Sequence, residues 1–170
     1  MSTGERIVVG VSGSVNSAAA LRWAAAEARL RGAEVWALHA WTSPMEIVAP
    51  YAPLRGVPSR DHQRQASAAL LSAAISHAFG SRSDEHGIGV RPILVEGRPV
   101  AMLLRYAAGA DLLVLGRRRR PEYLDGIALG AVARTCVAKA RCPTVVVAAE
   151  EIVDDTATSS RSECHLCVEQ

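Results

Sequence analysis

Five short apolar runs separated by four helix-forming stretches constrain this chain more than any other feature. The runs are "RIVVGV" (6–11), "EVWALHAW" (34–41), "VRPILVEG" (90–97), "DLLVLG" (111–116) and "PTVVVAA" (143–149). Runs this apolar suit strands covered on both faces. Between them lie "SVNSAAALRWAAAEARLRG", "DHQRQASAALLSAAISHAFG", "RPVAMLLRYAAGA" and "GIALGAVARTCVAKAR". Ala and Leu dominate these stretches and favour helix. Ser14 or Asn16 can cap the first helix and Gly32 can end it. Ala69, Leu70, Ala73 and His77 follow near-helical spacing in the second. Pro99 suits the first turn of the third. Strands alternating with helices predict an α/β fold, a parallel sheet with helices on both faces. In such sheets ligands bind beyond the carboxyl ends of the strands, where strand order reverses. Those ends are "GVSGS", "LHAW", "VEG" and "LGRRRR".

The chain has 170 residues and 49% hydrophobic content. That length suits one domain with a core of its own. One Phe, three Tyr and three Trp make the expected core aliphatic. No window approaches a membrane span, and "MSTGERIVVGV" lacks the basic start and long apolar run of a signal peptide. A cytoplasmic location is the expectation. Residues 42–60 hold four of the eight prolines and read as a long loop.

The net charge of +2 hides an asymmetry. Residues 1–149 carry 18 Lys and Arg against 11 Asp and Glu, a net +7. Residues 150–170 carry one Arg against six acids, a net −5. Residues 5–149 are expected to form the domain and 150–170 an acidic, disordered tail. Two readings of the tail stand: solvated, or folded against its own basic domain.

The segment "DLLVLGRRRRPEYLDGIALGAVA" (111–133) begins like a phosphate site: apolar strand, glycine, loop, helix. Yet Arg117, Arg118, Arg119 and Arg120 stand where small residues would let backbone N–H groups approach phosphate.

"IVVGVSGSVNSAAALRWAAAEA", "LHAW", "VEGRPVAMLLRYAAGADLLVLG" and "LGAVARTCVAKARCPTVVV" together resemble the universal stress protein family in its actinobacterial style. The resemblance covers about residues 5–149. It implies an adenine nucleotide alpha hydrolase-like fold, a five-stranded parallel sheet ordered 3-2-1-4-5. It also implies homodimers, often formed through the last strand, here Thr144–Ala148. An exposed apolar edge strand is an aggregation hazard unless paired, which places Val145, Val146 and Val147 at the centre of the expected interface. Many members of the family bind ATP, and others do not.

In ATP-binding members the first strand ends Gly-Val-Asp-Gly-Ser. Here the segment is Gly10, Val11, Ser12, Gly13 and Ser14, so Ser12 replaces the carboxylate. Ala40 holds the place of a Val that lies against adenine. The family's phosphate loop reads Gly, two residues, Gly, nine residues, Gly, then Ser or Thr. Gly116 matches the first glycine, with Leu115 before it, and Arg119, next to Arg118, falls on the second. Gly130 matches the third one residue late, and Ala131, followed by Val132, stands at the hydroxyl position. These departures imply a degenerate ATP pocket on an intact fold. The opposing reading is that the arginines hold phosphate through charge-assisted side-chain bonds.

No Ser/His/Asp or Cys/His arrangement and no paired carboxylates at a strand end are present, so no catalysis is expected, and the resemblance implies a non-catalytic stress-response and signalling module. An enzyme using the arginine loop to hydrolyse ATP or transfer phosphate is the alternative. Nucleic acid is an unfavoured partner: four arginines make few phosphate contacts, and only Tyr123 offers a stacking ring. "CHLC" (164–167) admits a thiol or zinc sensor, but a structural zinc site needs four ligands. Cys136 and Cys142 are expected in or near the core, and His39 as a packed histidine. An unidentified protein partner completes the expectations.

Overall fold

The computed structural model of the chain describes residues 4–43, 58–80, 89–117 and 129–149. Its elements run β1 (Arg6–Gly10), α1 (Val15–Arg31), β2 (Glu34–Trp41), α2 (Arg60–Phe79), β3 (Val90–Glu96), α3 (Pro99–Ala107), β4 (Leu112–Gly116), α4 (Ala131–Lys139) and β5 (Thr144–Val147). The strands form one five-stranded sheet in the order β3-β2-β1-β4-β5. Every neighbouring pair is parallel. The expected fold class and strand order are both found.

Alternation along the strands sends side chains to two cores. Ile7 and Val9 of β1, Val35 and Ala37 of β2 and Leu112 and Val114 of β4 pack with Ala20, Leu21 and Ala24 of α1 and Leu71 and Ala74 of α2. On the other face Val8, Leu38, Leu113 and Leu115 pack with Leu103 and Ala107 of α3 and Ala133 and Cys136 of α4. Ile7, Val8 and Val9 are wholly buried. Complete burial of such an aliphatic side chain contributes about 1.5–3 kcal/mol, so β1 is held from both faces.

Local signals set the helix ends. Ser14 is the N-cap of α1, and its side chain accepts from the Ser17 N–H. Gly32 ends α1 at φ 66°, a left-handed conformation favoured by glycine. Pro99 occupies the first turn of α3, where its missing N–H costs nothing.

Three expectations are corrected. The buried stripe of α2 is Ser67, Leu71, Ala74 and Ala78, whereas Ala69, Leu70, Ala73 and His77 are exposed. Small residues surround this helix, so apolar spacing alone did not distinguish adjacent stripes. Strand β5 ends at Val147, so Ala148 and Ala149 lie beyond it. The Ala149 N–H instead donates to Asn16 Oδ1 at 2.6 Å, which turns the chain onto α1. Third, α4 is described from Ala131 to Lys139 rather than to Arg141; residues 126–128 of its expected start lie outside the described residues.

The end of β4 lies hard against the start of α1. A Cβ added at Gly116 would sit 2.7 Å from both Asn16 C and Ser17 N. Those are backbone atoms and cannot rotate aside. A Cβ at Gly10 would meet Leu115 Cδ2 at 2.6 Å, a side-chain terminus. Gly116→Ala is therefore expected to cost about 1–3 kcal/mol in urea denaturation, more than Gly10→Ala. Equal losses would contradict this packing.

Candidate functional site

The candidate site is the carboxyl edge of the sheet, at the reversal of strand order between β1 and β4. Gly10 pairs with Leu115 across that junction and with Leu38 of β2. Beyond β1 the chain turns through Val11, Ser12 and Gly13 into α1. The Val11 N–H donates to the Leu38 carbonyl at 2.8 Å, so β1 and β2 stay joined one residue past the strand. Gly13 takes φ 77°, in the left-handed region, and Leu70 of α2 lies over it.

Three expected site residues prove to be largely framework. Val11 is buried in the first core. Leu115 is buried in the second and fills the space that a side chain at Gly10 would need. Ala40, half-buried, packs against the same core. Gly116 pairs with Val147, and the following Arg117 N–H donates to the Val147 carbonyl at 2.7 Å. The end of β4 is thus held between β5 and α1. Arg118, Arg119, Arg120 and Tyr123 lie outside the described residues, as does the "CHLC" segment.

Polar groups at this edge are mostly committed to the fold. Ser12 Oγ lies 3.0 Å from Ser14 Oγ, and Ser14 Oγ accepts from the Ser17 N–H at 3.2 Å. Ser17 Oγ, itself buried, donates to the Ser14 carbonyl at 2.8 Å. His39 Nδ1 lies 2.8 Å from the Val11 carbonyl. A carbonyl can only accept, so this contact requires the proton on Nδ1. His39 is half-buried and pins the turn after β1, a specific role that its strand position alone did not reveal.

Among the described residues, the carboxylate ending a strand is Glu96 of β3. It is tied to Arg60 at the start of α2, with Arg60 Nε donating to Oε1 at 3.1 Å and a second, shorter bond from the guanidinium to Oε2. The Arg60 hydrogen bond holds the Glu96 carboxyl below its usual range. Asp111 lies at the opposite end of the sheet, where Oδ2 accepts from the Arg6 N–H at 2.7 Å. No group of three or more His, Cys, Asp or Glu among the described residues is arranged to hold a metal ion.

The expected phosphate-side residues start α4. Gly130 is its N-cap and supplies no side-chain hydrogen bond. Ala131 and Val132 are exposed. The Ala131 carbonyl accepts from Thr135 Oγ1 at 2.8 Å, one turn too far along to serve as the missing hydroxyl. The residues present do not match the side-chain requirements implied for an ATP site: Ser12 brings no carboxylate and Ala131 no hydroxyl.

Cys136 is wholly buried and Cys142 half-buried, both against the second core. Burial pushes both thiols up in pKa, which disfavours the reactive thiolate. No helix among the described residues is long and apolar enough to cross a membrane.

Asn16 was read only as a possible cap. It joins the end of β5 to α1 through the Ala149 N–H, a long-range contact that leaves no local signature in sequence.

The pH response of the Arg60–Glu96 pair is a direct check. A depressed carboxylate stabilises the fold above the ordinary carboxylate range, and that contribution is lost as pH falls through the folded value. Glu96→Gln is expected to lower Tm at neutral pH and flatten its decline on acidification. Superimposable Tm–pH profiles would contradict the pairing.

Comparison with known proteins places this geometry. The sequence pattern of the Universal stress protein family matches residues 4–148. Universal stress protein Rv2005c of Mycobacterium tuberculosis is 30% identical over 149 residues, covering 86% of this chain and 49% of that protein. The chain thus spans about half the length of that relative. A universal stress protein family structure from Burkholderia pseudomallei superposes with TM-score 0.61 at 25% identity, covering 88% of this chain and 99% of that one. An Arabidopsis thaliana family protein with AMP bound gives TM-score 0.55 at 20% identity, covering 91% and 97%.

Proposed function

This chain belongs to the universal stress protein family, and we propose that it acts as a dimeric, non-catalytic stress-response module whose adenine nucleotide pocket is degenerate. The observation that carries this reading is the contrast at the carboxyl edge. Gly10 and Gly116 keep the close backbone packing of β1, β4 and α1. Ser12 and Ala131, by contrast, bring neither the carboxylate nor the hydroxyl that nucleotide-binding members use. The AMP-bound Arabidopsis neighbour supports an adenine nucleotide as a ligand class that a protein of this fold can take. The pairing of Glu96 with Arg60 supports the non-catalytic reading, since the guanidinium holds that carboxylate in its ionised, weakly basic form.

Dimerisation through β5 rests on its edge position. The strand pairs with β4 on one side, and the other edge is open to a second copy among the described residues. Val145 and Val147 pack into one core and Val146 into the other. The valines therefore brace the strand, and backbone hydrogen bonds across a two-fold axis would form the join.

A second reading has one observation in its favour. The N-cap of α4 offers no side chain to its first N–H groups, and a helix start of this kind favours an anion. In that version the arginine loop supplies the remaining donors and the protein binds ATP.

Calorimetric titration with Mg-ATP and AMP, on protein whose mass is first measured by light scattering, separates the two. A dimer with no heat of binding up to about 1 mM, a binding free energy weaker than about −4 kcal/mol, is expected. Micromolar affinity weakened by Arg119→Ala would establish the second reading. A monomer would remove the β5 interface.

A further inference from the structure

The amino edge of the sheet, opposite the candidate site, carries a second cluster of side chains. Successive residues of a strand alternate between the two faces. Arg6 therefore shares a face with Val8, Glu34 with Trp36 and Arg91 with Ile93, all on the side of the second core. Trp36 pairs with Arg91 of β3, and Arg6 of β1 pairs with Glu34, two residues before Trp36. The half-buried indole is thus approached from both neighbouring strands. The guanidinium carbon of Arg6 lies 4.2 Å from the ring centroid and that of Arg91 5.0 Å. Tyr106 of α3 meets the same indole edge to face, with centroids 6.2 Å apart.

Neither guanidinium is paired with a carboxylate. The ion pairs among the described residues are Arg31–Glu27 and Arg60–Glu96. Two carboxylates of this edge are engaged by other donors. Glu34 Oε2 accepts from Trp36 Nε1 at 2.6 Å, and Asp111 Oδ2 accepts from the Arg6 backbone N–H at 2.7 Å. The Arg6 guanidinium donates to the Gly109 carbonyl, just past the end of α3. Its Nε is the one buried side-chain polar atom among the described residues without a hydrogen-bond partner. Arg91 is exposed, and among the described residues its contact is with the indole.

A guanidinium stacks through its flat face and donates in its own plane. Contact with the ring therefore leaves N–H donors for an anion. It also fixes a long side chain in advance, so less rotamer freedom is lost when a ligand arrives. We propose that Arg6 and Arg91, set on Trp36, form an oxyanion site at the amino edge, which takes one carboxylate or phosphate group of a small molecule. The bonds would be charge-assisted and suited to a planar fork of donors. Trp36 and Tyr106 offer an aromatic wall to whatever carries the anionic group. Glu34 and Asp111 balance the two arginines, so the edge presents no field that would gather a polyanion such as nucleic acid. The site lies at the other end of the strands from Ser12 and does not depend on whether nucleotide binds there.

The indole N–H resonance of Trp36 in the full-length protein, assigned by its loss in Trp36→Phe, reports on the site. Sodium phosphate and sodium acetate are titrated separately, with ionic strength held constant by sodium chloride. At least one of them is expected to shift the resonance saturably. Arg91→Gln, an exposed change, is expected to weaken that binding about tenfold or more. Arg91→Lys, which keeps the charge and loses the fork, should weaken it less. Saturation by phosphate assigns a phosphate ligand, and saturation by acetate alone a carboxylate one. A shift that fails to saturate with either anion would overturn the site, as would saturable binding that Arg91→Gln leaves unchanged.

Discussion

The contact on which the carboxyl edge depends is the approach of β4 to the first turn of α1. Gly116 has backbone atoms of Asn16 and Ser17 where any side chain would begin. That approach fixes where α1 starts, and Ser14 closes the turn by capping it. The same turn carries Ser12 and Gly13, so the geometry of the site follows from one glycine. Asn16 uses the same junction to hold the end of β5 through Ala149. Three separate parts of the chain meet within one turn of helix.

This arrangement changes what the family glycines mean. Gly10 makes room for Leu115 and Leu103, and Gly116 for α1. Both are required by packing whether or not a nucleotide is present. They mark the fold and carry little information about the ligand. The informative positions are the exposed ones, Ser12 and Ala131, whose side chains take no part in either core. A pocket can lose its ligand-holding groups there at little cost in stability, because both positions are exposed and surface substitutions are usually mild.

Much of the architecture was legible in the sequence. Strand β2 begins at Glu34 and ends at Trp41, where its pattern placed it, because a buried parallel strand is a continuous apolar run. Ser14 and Gly32 marked the ends of α1 through chemistry local to each cap. The face of α2 was misread by one residue, since Ala and Ser on every side give little contrast between stripes. Strand β5 was read two residues too long at its carboxyl end because Ala148 and Ala149 continue its apolar run, and only tertiary structure reveals the competing claim of Asn16. The sheet edge at the reversal between β1 and β4 was legible as a position, from the expected strand order. The roles of His39 and Asn16 were not, because each acts through a contact with backbone distant in sequence.

The measurement that bears most directly on a retained frame without its ligand groups is the nucleotide content of freshly purified protein, released by denaturation and separated by ion exchange. The account predicts no adenine nucleotide above a small fraction of the protein concentration. Near-stoichiometric ATP or AMP would contradict it, and would show that a pocket lacking the Ser12 carboxylate and the Ala131 hydroxyl still binds.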